Sequence, residues 1–417
     1  MRSQLPQWHG YILALQGKKH DAEKAVTEAA ELRQVAGGPF YDTFCKIILG
    51  ATLARIGLHD EAQELLTTAL RQAGRLPSDY MAAAALFQRA WVYRLQNCRE
   101  AMLNDLQAGL NFMEKNGYTY FWSWEPDFMR ELLTEAFRAG ILPEFSDMLA
   151  RKRLGIFFDK QGSAYPLLDI TILGSFSLNI AEKTILTAEK LTPAQRSLMA
   201  LVLAGKDQKI SQEKIQLTLW PDSSPEKARA KQDTLLLRLR KVLAQVLPCP
   251  VTKYLSMQKG FLCLDNCRID GVEFSKLARE GLNHARAEQF WQAGNAFYRA
   301  LHLWDSSTVT GSDLFIGETA DLYDQLLQLL AKTGHTYGII LAESDCTEEA
   351  IEVVNKVLQI NRMDDQLITL LHGLYIRSGK MLKAKETLQQ YRQTLRDQDY
   401  NQEEIDDLLF QVAATTS

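Results

Sequence analysis

No run of about 18 apolar side chains occurs anywhere in the 417 residues, so no transmembrane helix is expected. The N-terminus, residues 1–10, lacks the apolar core of a secretory signal. The chain is therefore expected in the cytoplasm, off the membrane. No two of its six cysteines (Cys45, Cys98, Cys249, Cys263, Cys267, Cys346) stand at CxxC spacing. The nearest pair, Cys263 and Cys267, has no second cluster to complete a tetrahedral set, so reduced thiols and no metal are expected. A phosphate loop of the form Gly-x-x-x-x-Gly-Lys-Ser/Thr is missing, and Ala204-Gly205-Lys206-Asp207 does not supply one, so no cofactor is expected. His9, His20, His59, His284, His302, His335 and His372 are dispersed, without a nucleophile–His–acid order, so no catalytic residue is nominated and no enzyme is expected. His372 occupies a small-residue position of a helical pattern and should be packed. A strong net charge is lacking too. The formal value of -4 excludes a chain built wholly to coat nucleic acid but leaves room for a local basic face.

What is present is an ordinary folding composition, 46% hydrophobic and 24% charged, over a length that suits roughly two to four domains. Residues 1–155 read as paired amphipathic helices. Leu49-Gly50, then Ala62, Leu66 and Ala69, put small residues where two antiparallel helices approach closely, with a break at Gly57–Ala62. Met81–Met113 reads as a weaker second unit. Residues 156–167 read as a linker. Over 168–270 the pattern changes to a compact α+β unit. Residues 271–417 return to helices, with the small–large–small spacing repeated at Ala293/Phe297/Ala300, Ala350/Val354/Val357 and Ala384/Leu388/Tyr391, as stacked helix pairs require. Trp291, Trp304 and the aromatic run Tyr118–Trp124 fall at helical spacing and are read as core.

The middle unit carries the chemistry. Asp169–Leu173 and Ser175–Ile180 are β-rich runs broken by Gly174. Thr192-Pro193 opens a helix that Gly205 ends, and Ser211 caps a second over Gln212–Leu219. Pro225 opens a third, running through Leu243. In that helix Leu236, Leu239 and Leu243 make the buried stripe, with Lys231, Thr234 and Arg238 on the other side and Lys241 continuing it. Six Lys/Arg against two Asp/Glu over 226–243 give it a net of +4. An α-helix fits the major groove, where Arg reads guanine bidentately and Lys or Arg grips phosphates. Val251–Leu255 and Gly260–Leu264 read as a hairpin tipped by Ser256-Met257-Gln258-Lys259. A helix-turn-helix followed by a basic-tipped hairpin is the winged-helix layout. Residues 168–270 hold 15 Lys/Arg and 10 Asp/Glu, a net of +5 in a chain whose total is -4.

Ile172-Leu173-Gly174, Leu191–Leu203, Leu219-Trp220-Pro221, Arg238-Leu239-Arg240-Lys241-Val242-Leu243 and Gly260-Phe261-Leu262-Cys263 together resemble the OmpR-type winged helix. Gln232 departs from that pattern, standing where an apolar residue is usual. The order Asp270-Gly271-Val272-Glu273-Phe274, Tyr298–Trp304 and Leu374–Gly379 resembles the bacterial transcriptional activator domain of the SARP family, so that the likeness covers nearly all of 168–397. Residues 1–155 resemble the tetratricopeptide repeat, and Trp124-Glu125-Pro126, Ala136–Ile141 and Arg151–Gly155 resemble the repeat region of MalT-like regulators. Those regulators carry an upstream nucleotide-binding module. The chain therefore reads either as the C-terminal part of a longer protein or as a variant without that module.

These resemblances imply a mostly α protein with a central OmpR-like winged helix-turn-helix flanked in sequence by two tetratricopeptide-type helical repeat domains. They imply base reading at positions matching Thr234 and Arg238, joined by Lys231, and phosphate contacts from Lys227, Arg229 and Lys241 on the helix and Lys253, Gln258 and Lys259 at the wing. Arg240 matches a position that often pairs with an acidic neighbour and ranks lower. The implied partners are double-stranded DNA, RNA polymerase and a small-molecule or protein effector on the repeat arms, with a dimer on DNA. The alternative reading is a scaffold in which the winged helix and repeats dock proteins and bind no DNA.

Overall fold

Small residues decide how the N-terminal helices pair. The computed structural model describes residues 4–35, 38–76, 78–304, 314–315 and 317–416 and divides into two units, Met1–Leu167 and Leu168–Ser417. In the first unit α1 (Gln4–Leu15), α2 (Lys19–Val35), α3 (Pro39–Ile56), α4 (His59–Ala73), α5 (Asp79–Leu95) and α6 (Arg99–Asn116) form three consecutive pairs, followed by α7 (Pro126–Arg138) and α8 (Pro143–Leu149). Ala62, Leu66 and Ala69 are fully buried. Leu66 sits on Gly50 so closely that a Cβ there would stand 2.6 Å from its Cγ. Gly57 takes a left-handed conformation, φ 97°, and lets the chain reverse into α4.

Residues 156–167, expected as a linker, are instead part of this unit. β1 (Ile156–Phe158) pairs antiparallel with β2 (Ala164–Pro166). Three consecutive apolar side chains cannot stay in water at low cost, and Ile156 and Phe158 join the core built on Leu132, Ala136 and Leu149. Asp159 closes the turn by accepting from the backbone N–H groups of Gln161 and Ser163.

The second unit begins with β3 (Leu168–Thr171), β4 (Ser177–Ile180) and β5 (Lys183–Thr187), antiparallel neighbours in the order β5-β4-β3. The first two strands are shorter than expected and the third was not foreseen. β3 stops at Thr171 because the Asp270 carboxylate takes the N–H groups of Ile172 (2.8 Å) and Leu173 (3.1 Å). Three helices follow at the expected places: α9 (Pro193–Ala204), α10 (Gln212–Leu219) and α11 (Pro225–Ala244), with the short strand β6 (Lys209–Ser211) before α10. Thr192 and Gln195 form a reciprocal capping box at α9, and Ser211 caps α10 by accepting from Lys214 N–H. Gly205 ends α9 for close approach, since a Cβ there would lie 2.2 Å from the Lys209 carbonyl. β7 (Leu255–Gln258) and β8 (Phe261–Leu264) form the hairpin, with sheet order β6-β8-β7, and β9 (Cys267–Ile269) returns parallel to β3.

Helices α12 (Asp270–Arg286), α13 (Phe290–Leu301), α14 (Ala320–Glu343), α15 (Thr347–Ile360), α16 (Asp365–Arg377), α17 (Met381–Asp397) and α18 (Gln402–Thr416) complete the unit. The first-unit device recurs here. Ala293, Phe297 and Ala300 are fully buried, as are Ala350, Val354 and Val357. A Cβ on Gly281 would stand 2.5 Å from the Phe297 ring, and one on Gly334 2.6 Å from Val357. His372 is buried as expected. The fold is mostly α, with a winged helix-turn-helix between helical repeats in sequence.

Candidate nucleic-acid interface

The interface is built on α11. Its buried side is Ala228, Gln232, Leu235, Leu236, Leu239 and Leu243, which includes all three expected leucines. Gln232, at 1% exposure, is the polar member. Its Oε1 accepts from Gln216 Nε2 on α10 at 2.8 Å. An amide in an apolar position costs little when paired, and this bond joins the two helices of the helix-turn-helix.

Lys227, Lys231, Thr234, Arg238 and Lys241 are all exposed. Their spacing of four, three, four and three residues holds them within one stripe at about 100° per residue. Lys231 Nζ donates to Ser223 Oγ at 3.0 Å, which holds it over the helix start. The Thr234 hydroxyl donates to the Ala230 carbonyl at 2.9 Å. Arg229 is exposed but, two residues from Lys227, falls on the opposite flank. Arg240 is half-buried and reaches the Leu255 carbonyl of β7 with Nη2 at 3.4 Å.

The wing differs from its expected register. Val251–Lys253 is a 3₁₀ turn, not a strand, and Lys253 is half-buried ahead of the hairpin. Ser256 and Met257 lie within β7. The tip is the two-residue turn Lys259-Gly260, with φ of 49° and 83°. Positive φ at both central residues is the turn whose twist matches a two-residue hairpin. Tyr254, 1% exposed, anchors the entry to β7. Gln258 donates to Ser256 Oγ (2.8 Å) and Asp265 Oδ2 (3.0 Å), which engages its amide hydrogens within the hairpin. Lys259 is exposed and is the cation of the tip.

Asp270 joins this winged helix to α12. Besides Ile172 and Leu173, it accepts from Gly271 N–H at 2.7 Å. Burial pushes its carboxyl up to about 6, against the opposing pull of these hydrogen bonds. The two motifs Ile172-Leu173-Gly174 and Asp270-Gly271 are thus held by one side chain, which sequence reading did not single out.

Among the aromatics read as core, Trp304 is 4% exposed but Trp291 is 80% exposed. Trp291 with Phe290, Tyr298 and Tyr337 lines an open cleft on α13 and α14 of about 390 Å³. Helical spacing identified the helix and not which of its faces is covered.

Residues 269–403 match the family model of the bacterial transcriptional activator domain. The match covers about a third of the chain and falls where the SARP-like order of motifs implies this domain. None of the curated proteins matches the chain. Among solved structures, Mycobacterium tuberculosis EmbR in complex with a low-affinity phosphopeptide is 19% identical over 60% of this chain and 66% of that one, with a TM-score of 0.39. The chain thus spans just under two thirds of that relative. The TPR2AB-domain:pHSP90 complex of yeast Sti1 is 12% identical over 99% and 98% of the two chains, TM-score 0.24. The apo quorum sensor NprR from B. thuringiensis is 10% identical over 98% of each, TM-score 0.25.

Proposed function

We propose that the chain is a DNA-binding transcription regulator that lays α11 in the major groove and rests the Lys259 wing tip on adjacent backbone. The observation that carries this reading is the stripe of five exposed side chains on α11, four of them cationic. It lies opposite a fully packed stripe and in the same small domain as a basic-tipped hairpin. Arg238, with Lys231 and Thr234, is assigned to base edges. Lys227, Lys241 and Lys259 are assigned to phosphates. Arg229 and Lys253 take a lesser part because they lie off the stripe and off the wing, and Gln258 because its donors are engaged. The repeat helices are assigned to protein contacts, RNA polymerase or an effector, a role that the exposed Trp291 cleft supports.

A second reading is docking of a protein on the winged helix without DNA. The exposed Leu237, 56% accessible on the same face of α11, favours it. Selection from a random duplex library with the full chain at about 150 mM salt decides between them. Enrichment of a short motif, repeated at one helical turn where two chains bind, is the expected result. No enrichment by folded protein overturns the DNA reading in favour of docking.

A further inference from the structure

The outermost line of α11 is not basic. Ala230, Leu237 and Ala244 recur every seven residues on the side opposite the buried Gln232, Leu236 and Leu239. All three are exposed, and Leu237 shows 56% of its surface. The cationic stripe of Lys227, Lys231, Arg238 and Lys241 flanks this line on one side, and Glu226 and Asp233 flank it on the other. A leucine at the crest of a helix that otherwise carries charge is apolar surface left uncovered in the isolated chain. Thr234, beside it, has turned its hydroxyl back onto the Ala230 carbonyl. That hydrogen is spent within the helix, so Thr234 meets a base edge with its acceptor oxygen or its methyl group.

In the major groove the one apolar feature of a base pair is the thymine 5-methyl group, and small apolar side chains recognise it by contact. We infer that Leu237 is a specificity-determining residue that seats on a thymine methyl, so that the recognised sequence holds a thymine under the centre of α11. This rests on the DNA-binding reading above and deepens it. Arg238, one residue on, would read the neighbouring pair, and Lys227 and Lys241 would fix the helix on the backbone. Glu226 and Asp233 lie on the side of the crest away from Lys227, Lys231, Arg238 and Lys241, with Arg229 beyond them.

The test uses the duplex selected by the full chain, with each thymine replaced in turn by deoxyuridine, which lacks only the methyl. The expected result is that wild-type protein loses about fourfold in Kd at one or two positions, the value of roughly one buried methyl group. Leu237→Ala should bind thymine and uracil alike at those positions while keeping the same selected motif elsewhere. Because Leu237 is exposed, this variant should fold as the wild type does, which thermal unfolding checks. Wild-type binding unaffected by uracil at every position overturns the inference and leaves the DNA reading standing. So does a Leu237→Ala protein that remains as methyl-sensitive as wild type, in which case the Thr234 methyl is the reader. Failure to select any sequence overturns both readings together.

Discussion

At the scale of single residues the interface separates into two kinds of cation. Arg238 presents a planar fork on the exposed stripe, whereas Lys259 is a point charge at the end of a turn. Arg238→Ala should weaken binding to the selected sequence by about 1–3 kcal/mol and barely change binding to random duplex. Equal loss on both would remove Arg238 from base reading. Lys259→Ala should weaken all sequences alike and reduce the salt slope by about one, read from affinities across a salt titration. Asp270 makes a prediction of another sort. Its carboxyl titrates near 6 in the folded chain and near 3.9 when unfolded. Between those values the folded state holds more protons, so its contribution to stability is present below about pH 4 and is lost as pH rises to about 6, by roughly 2–3 kcal/mol. Urea unfolding of wild type and Asp270→Asn at pH 4 and pH 7 checks this. The variant should lack that part of the slope, and equal slopes would show that the carboxyl ionises normally.

At the scale of elements, what was legible in the sequence was what local chemistry decides. The three helices of the winged domain begin where Thr192, Ser211 and Pro225 place them, because a cap acts within one turn. The small–large–small spacing announced the repeat pairs, since Phe297 can approach only a glycine. Gly281→Ala should therefore destabilise the second unit by about 1–3 kcal/mol despite alanine's higher helix propensity, as thermal unfolding will report. An unchanged transition would mean that the Phe297 ring moves aside freely. What was not legible depended on partners distant in sequence. The end of β3 is set by Asp270, about a hundred residues away. The hairpin register follows from a lysine in a left-handed turn position, a choice that carries no strong signal in sequence. Ile156–Phe158 looked like connection because its covering helices lie upstream. The cationic stripe was visible as a pattern, yet the apolar crest beside it was not, because a leucine on a helix reads as core until its exposure is known.

At the scale of the whole molecule the distribution of charge matters more than its sum. The winged domain holds +5 while the chain totals -4, so the rest of the chain is strongly acidic. Long-range repulsion from that acidic remainder should slow encounter with DNA, and near attraction from α11 and the wing should hold it. Three phosphate-directed cations, Lys227, Lys241 and Lys259, correspond to a log–log salt slope of roughly -3. A slope near zero in filter binding or fluorescence anisotropy would argue that duplex is held by something other than these side chains.

The amide pair between Gln216 and Gln232 has a consequence for how this elbow can change over generations. The two sides of the pair are unequal, because Gln216 is half-buried and Gln232 is not: with Gln232 replaced by leucine the Gln216 amide can still turn to water, whereas replacing Gln216 alone would strand Gln232 in the core. A route to a fully apolar elbow is therefore expected to change Gln232 first, so that the order of the two steps is the constraint.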